Sequence, residues 1–279
     1  CDTAPTSGGT ETIIPGARGY HGLAIDTEGL IVGSDGWSLI KSDYEGNWSP
    51  WAPGIGSVEQ MAYLDNGDLV YASVDSGGIH RITPEGGQSQ IASGLNAYGV
   101  TIGPEGRIWT AGWNGTVDRI DAATGVVTTM ATLSYDSPHS INFNLDYSKL
   151  YIGTVGSGAL YSMDLDANLD PLGSPSFLAN VGGGWHDAVA VDICGYIYVP
   201  DYWSNTLWRI NPTTAVVNVF ANWDSNPGYY AHGAIWGTGE FGWREDALYA
   251  PMPYGGDQVR EIIVGVPGRD WNGAAINAP

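Results

Sequence analysis

The sequence predicts an all-β protein, a six-bladed β-propeller, and three observations lead there. Glycine takes 41 of 279 positions and is joined by 16 prolines, 12 tryptophans and 16 tyrosines, which mixes turn formers with strand formers. No window of about 12 residues carries an apolar stripe at i, i+3, i+4 and i+7 free of glycine and proline, so α-helices are not expected. An apolar strand, a polar turn and a second apolar strand recur six times, about 38 to 47 residues apart, which is a blade period.

The first copy runs from Gly22 to Val32, with Asp26-Thr27-Glu28-Gly29 as its turn. The others are Met61–Tyr71, Gly99–Trp109, Ile141–Tyr151, Ala188–Tyr198 and, with a longer turn, Gly233–Tyr249. Each is followed by a third alternating strand: Ser38–Lys41, Gly78–Ile82, Thr116–Ile120, Ala159–Met163, Thr206–Ile210 and Gln258–Ile262. Fourth strands are readable near 48–52, 89–92, 126–131, 176–179 and 216–221. The sixth blade lacks one, because Ile263-Val264 run straight into glycine and proline. The segment Thr10–Gly16, just ahead of the first copy, is expected to fill that place, closing the ring and leaving no open edge. The expected organisation is a flexible N-terminal tether at 1–9, the propeller at 10–264 and a C-terminal surface tail at 265–279.

Ten Lys and Arg stand against 30 Asp and Glu, a net charge of −20, and a field of that sign excludes nucleic acid as a partner. No apolar run approaches the ~18 residues of a spanning helix. The two cysteines, Cys1 and Cys194, have no metal-type spacing. Cys1 and the small, polar residues after it resemble a processed bacterial lipoprotein, in which a lipid-bearing cysteine precedes a flexible tether. That resemblance implies a lipid anchor at Cys1 and a cell-surface or periplasmic location. The alternatives are a Cys1–Cys194 disulfide in a secreted protein or an accidental first residue.

In a propeller the innermost strands line a central channel, so the residues where they begin converge on one small volume. Those pairs are Tyr20-His21, Glu59-Gln60, Ala97-Tyr98, His139-Ser140, His186-Asp187 and Ala231-His232, and they hold four of the five histidines. Chance would place roughly 0.2 histidines there. Neutral imidazole is the commonest ligand for zinc and its neighbours, and three imidazoles leave a coordination position open. His21, His139 and His186 are therefore read as metal ligands, with His232 as a fourth ligand, a general base or a partner for substrate. A water-filled, hydrogen-bonded channel is the plainer alternative.

The motifs His21-Gly22-Leu23-Ala24-Ile25-Asp26, Pro138-His139-Ser140-Ile141 and His186-Asp187-Ala188-Val189-Ala190 resemble peptidyl-hydroxyglycine α-amidating lyase, within a repeat set resembling six-bladed NHL-type propellers. The resemblance implies a catalytic zinc on the three histidines and a calcium held by Asp187 and the Leu23 carbonyl. Tyr98 and Tyr202 stand in for the tyrosine of that family, and its arginine has no counterpart. The gluconolactonase and senescence-marker propellers are a more distant likeness. They bind a divalent cation through one Glu, two Asn and one Asp, where this chain has His21, Tyr98, Ser140 and Asp187, so only Asp187 matches.

Trp185 directly precedes His186, and Tyr229-Tyr230 nearly adjoin His232, so these three and Tyr202 are expected to wall a pocket. The function expected is an exported metal-dependent lyase or hydrolase acting on a small-molecule or peptide substrate, with His232 or Tyr98 moving the proton. Lactone and ester hydrolysis fall within that class. A non-catalytic surface propeller that binds protein or glycan is the alternative.

Overall fold

The computed structural model describes residues 1, 3–134, 136–223, 230–256 and 258–269. Twenty-four strands form six four-stranded antiparallel sheets, with no α-helix among the described residues. Blade 1 comprises β2 (Leu23–Ile25), β3 (Ile31–Ser34), β4 (Ser38–Ser42) and β5 (Trp48–Pro53). Blade 2 runs from β6 (Met61–Tyr63) through β7 (Leu69–Ser73) and β8 (Gly78–Ile82) to β9 (Gln88–Ser93). Blade 3 is β10 (Ala97–Ile102), β11 (Ile108–Gly112), β12 (Thr116–Ile120) and β13 (Val127–Thr132). Blade 4 is β14 (Ser137–Phe143), β15 (Lys149–Val155), β16 (Ala159–Asp164) and β17 (Ser176–Asn180). In blade 5, β18 (Ala190–Val191) lies inside β19 (Ile197–Asp201), β20 (Thr206–Ile210) and β21 (Val217–Asn222). Blade 6 stacks β22 (Ile235–Trp236), β23 (Ala247–Met252), β24 (Gln258–Ile263) and, outermost, β1 (Glu11–Arg18).

The turn between the two inner strands shows why the sequence repeats as it does. Asp26 Oδ1 accepts the backbone N–H groups of Glu28 and Leu30 at 2.9 and 2.8 Å, while Gly29 adopts φ 78°, which residues with a Cβ resist. Blade 5 reproduces it: Asp192 Oδ1 accepts from Cys194 and Tyr196, and Gly195 sits at φ 83°. An Asp-x-x-Gly turn thus reverses the chain, and the β-branched and aromatic residues on either side pair across it.

Hydrophobic clusters fill the wedges between adjacent blades. Ala24, Val32, Met61 and Tyr63 join blades 1 and 2, and Trp109, Val117, Ile141 and Leu150 join blades 3 and 4. At the seam, Ile14 and Trp243 from blade 6 pack on Leu23 and Ile31 of blade 1, and the Trp243 indole N–H donates to the Gly29 carbonyl at 2.7 Å. Burial of that kind is worth about 1.5–3 kcal/mol per large side chain.

The terminal segments lie against blades 5 and 6. Residues 1–9, read as a tether, are fastened at Cys1, which forms a disulfide with Cys194, and at Gly8, whose N–H donates to Phe220. A thioether-linked lipid would need the same Cys1 sulfur, so the two linkages exclude each other. Of the expected tail, residues 265–269 are described. Gly268 donates to Glu245 and Arg269 to Val191, which binds the segment across both blades.

Candidate active site at the channel mouth

The start of each inner strand brings one or two side chains to a common mouth. At its centre is Asp187, wholly buried, with Oδ1 2.8 Å from His139 Nε2 and Oδ2 3.0 Å from His232 Nδ1. Blades 4, 5 and 6 each contribute one member. His21 adds a second pair from blades 1 and 2, with Nδ1 against Glu59 Oε2, while Ser57 donates to the other Glu59 oxygen at 2.7 Å. The His21 and His232 rings stack at 4.5 Å and 16° between planes.

Gln60 braces this cluster from below. Its amide nitrogen donates to the main-chain carbonyls of Asp187 at 2.7 Å and His232 at 3.2 Å, tying blade 2 to blades 5 and 6. Beneath it lies a cavity of about 60 Å³ with mixed walls, apolar at Val100, Ile141, Val189 and Trp236 and polar at Thr101, Asn142 and Arg269. The Arg269 guanidinium lies over the Tyr147 ring.

Burial opposes ionisation of Asp187, yet His232 and His139 outweigh it and hold the carboxyl well below the ordinary carboxylate range. Burial lowers His139, against the pull of Asp187, so at neutral pH an ionised carboxylate faces a neutral imidazole. Glu59 is lowered too, its burial being overcome by the bonds from His21 and Ser57. Tyr98 moves the other way: burial, then the charges of Asp187 and Glu59, push its hydroxyl well above its usual value. It therefore keeps its proton and can donate a hydrogen bond.

His186 departs from the expected arrangement. Its Nε2 lies 2.6 Å from the Val181 carbonyl, which directs the ring toward the loop before blade 5. Asp201, also wholly buried, pins that loop by accepting from the backbones of Gly183 at 2.5 Å and Trp185 at 3.0 Å. The buried atoms His21 Nε2 and His232 Nε2 are unpartnered, but no three His, Cys, Asp or Glu side chains among the described residues form a group that can hold a metal ion. His186 turns to the Val181 carbonyl and His21 faces Glu59, so His21, His139 and His186 do not form a three-imidazole metal group. Of the implied calcium set, Asp187 sits at the mouth with its two oxygens beside the His139 and His232 imidazoles, and Leu23 opens β2 with its side chain in the seam between blades 6 and 1.

Aromatic rings form a collar around the mouth. Tyr202 lies at 4.5 Å from His232 and at 4.8 Å from Tyr230, and Trp185 at 5.6 Å from His139. Trp113, Trp203 and Tyr254 extend the collar outward and are 42%, 62% and 52% exposed. Tyr229 lies outside the described residues. Sequence reading assigned no role to Glu59, Gln60 or Tyr254. The first two hold the same strand-start register as the histidines, which was the available signal; Tyr254 sits in a short 3₁₀ turn (Pro253–Gly255) that no repeat marks.

No protein-family model matches the chain, and neither does any curated protein. Solved structures do. A gluconolactonase from Xanthomonas campestris superposes with TM-score 0.76 at 15% identity, over 92% of this chain and 89% of that one. Regucalcin from Agrobacterium tumefaciens, a calcium-binding protein, gives TM-score 0.73 at 17% identity, over 94% and 96% of the two chains. An auxiliary nutrient binding protein from Bacteroides thetaiotaomicron gives 0.71 at 16% identity, over 90% and 70%. At such identities the likeness establishes the six-bladed propeller fold. None of these three is an amidating lyase.

Proposed function

We propose that this chain is a hydrolase that opens a lactone or ester at the channel mouth by general acid–base chemistry. The observation that carries this reading is the buried carboxylate of Asp187 set between the imidazoles of His139 and His232. A carboxylate facing one ring nitrogen holds the proton there and leaves the other nitrogen with a lone pair. For His232 that nitrogen is Nε2, which takes a proton from the attacking water. Asp187 orients His232 and stabilises the charge it gains. Tyr98 donates a hydrogen bond to the oxyanion as the carbonyl carbon becomes tetrahedral. Collapse expels the alkoxide, which recovers the proton from His232. No step is assigned to a metal, since the residues present do not gather around one.

The lactonase among the structural neighbours supports the reaction class. Export is part of the same proposal, because a Cys1–Cys194 disulfide persists in an oxidising compartment. The test is a panel of lactones and aryl esters given to the wild type, Asp187→Asn and His232→Gln. Turnover by the wild type that both substitutions depress supports the proposal; no turnover of any member, or an undiminished rate in both variants, refutes it.

A second reading is a binding module without chemistry. The exposed collar rings favour it, as does the nutrient-binding neighbour, and sugar rings stack well on such faces. Retention of a glycan by the wild type and both variants, without turnover, would establish it.

A further inference from the structure

We infer that the collar selects ligands by charge, taking a cationic group, an ammonium or quaternary ammonium, in preference to a neutral or anionic one of the same shape. The inference rests on the proposed site and names the class of substrate that fits it. Neighbouring rings in the collar stand as walls at steep angles: Tyr202 against Tyr230 at 65° and Tyr254 at 65°, and Trp185 against Trp113 at 75° and Trp203 at 83°. The outermost of these rings, Trp113, Trp203 and Tyr254, remain exposed, and an exposed ring presents a negative face to an alkylammonium group.

The charges around the collar point the same way. Asp187 and Glu59 lie at its base, and the whole chain carries −20. Positive side chains are placed elsewhere. Six of the ten Lys and Arg are on carboxylates outside the mouth. Three more, Arg18, Arg209 and Arg269, lie against the rings of Trp48, Tyr196 and Tyr147, none of them a collar residue. Arg107 shares an outer groove with Arg119 and Asp121. An anion entering the mouth thus meets two carboxylates, each beside an imidazole, with no Lys or Arg in the collar, and an ammonium meets ring faces inside an attractive field.

For the proposed hydrolase the same asymmetry has a consequence for turnover. Hydrolysis of an ester creates a carboxylate, and that product is repelled from the site that bound the substrate.

Three probes of one shape test the inference: choline, its uncharged carbon isostere dimethylbutanol, and the dimethylbutanoate anion. Binding is read by calorimetry and by tryptophan fluorescence, independently of turnover. Choline is expected to bind about tenfold tighter than dimethylbutanol, with dimethylbutanoate weakest. Trp203→Leu and Tyr254→Leu, both at exposed positions, are expected to remove the preference while leaving the thermal midpoint unchanged. Equal binding of choline and dimethylbutanol, or a preference that survives both substitutions, overturns the inference. Selective choline binding in a protein that hydrolyses nothing would uphold it and refute the hydrolase instead.

Discussion

His139 and Asp187 come from neighbouring blades, and His139 Nε2 lies 2.8 Å from Asp187 Oδ1 with both side chains fully buried. Asp187→Asn keeps the shape and removes the charge. Hydrolysis of the best ester or lactone is expected to fall by about 10²–10⁴-fold, the usual worth of a positioned acid–base group. The loss belongs in the turnover number more than in KM, since the carboxylate acts on charge that develops during reaction. Steady-state kinetics of the folded variant check this.

Stability is expected to fall as pH falls. His139 and His186 are depressed below the ordinary histidine value of 6.5 by burial, so the unfolded chain takes up their protons first and their stabilisation, complete above that value, is lost beneath it. Glu59, whose burial is outweighed by His21 so that it falls below the ordinary glutamate value of 4.5, contributes above that value and fades below it. Both windows have the same sign. Urea midpoints measured from neutral to acid pH should decline first below 6.5 and more steeply below 4.5. A midpoint that rises on acidification contradicts the assignment.

Gln60→Leu removes two donors and leaves the carbonyls of Asp187 and His232 without them. A cost of about 1–3 kcal/mol is expected from urea unfolding. Activity should fall further than that loss explains, because both carbonyls belong to residues of the site.

Cys194→Ser releases Cys1 and opens a loop spanning 193 residues of sequence. Disulfides of this kind contribute about 2–4 kcal/mol, mainly by restricting the unfolded chain. Denaturation of the variant, and of the wild type with and without reductant, should show that difference, and hydrolysis should persist because the linkage is remote from the mouth.

Gly268 lies so close to Trp236 that an added Cβ would sit 1.9 Å from its Cγ. Gly268→Ala is expected to displace residues 265–269, and hydrogen exchange at the Arg269 amide, bonded to Val191, should accelerate. Unchanged protection would mean that the indole yields instead.

The fold was legible because blades repeat. Alternation and spacing recur often enough that a misread strand in one blade is corrected by the others. The convergence of His21, His139, Asp187 and His232 was legible for the same reason, since they share one register. The direction of His186 was not. It depends on a loop held by Asp201 from another strand, and nothing in the spacing of residues records which way a ring turns. The pairing of His21 with Glu59 escaped notice because a carboxylate beside an imidazole reads equally as ligand or partner until the distance is known. Collar residues such as Tyr254 lie in irregular segments, where periodicity carries no information.

The placement of β1 beside β24 also sets an order of events during synthesis. β1 is made ahead of the first five blades and must wait for β24, which follows them, and until then the outermost place in blade 6 stays vacant. Until the two strands pair, each carries exposed main-chain donors and acceptors, and a chain stalled between them would be left with a sticky rim.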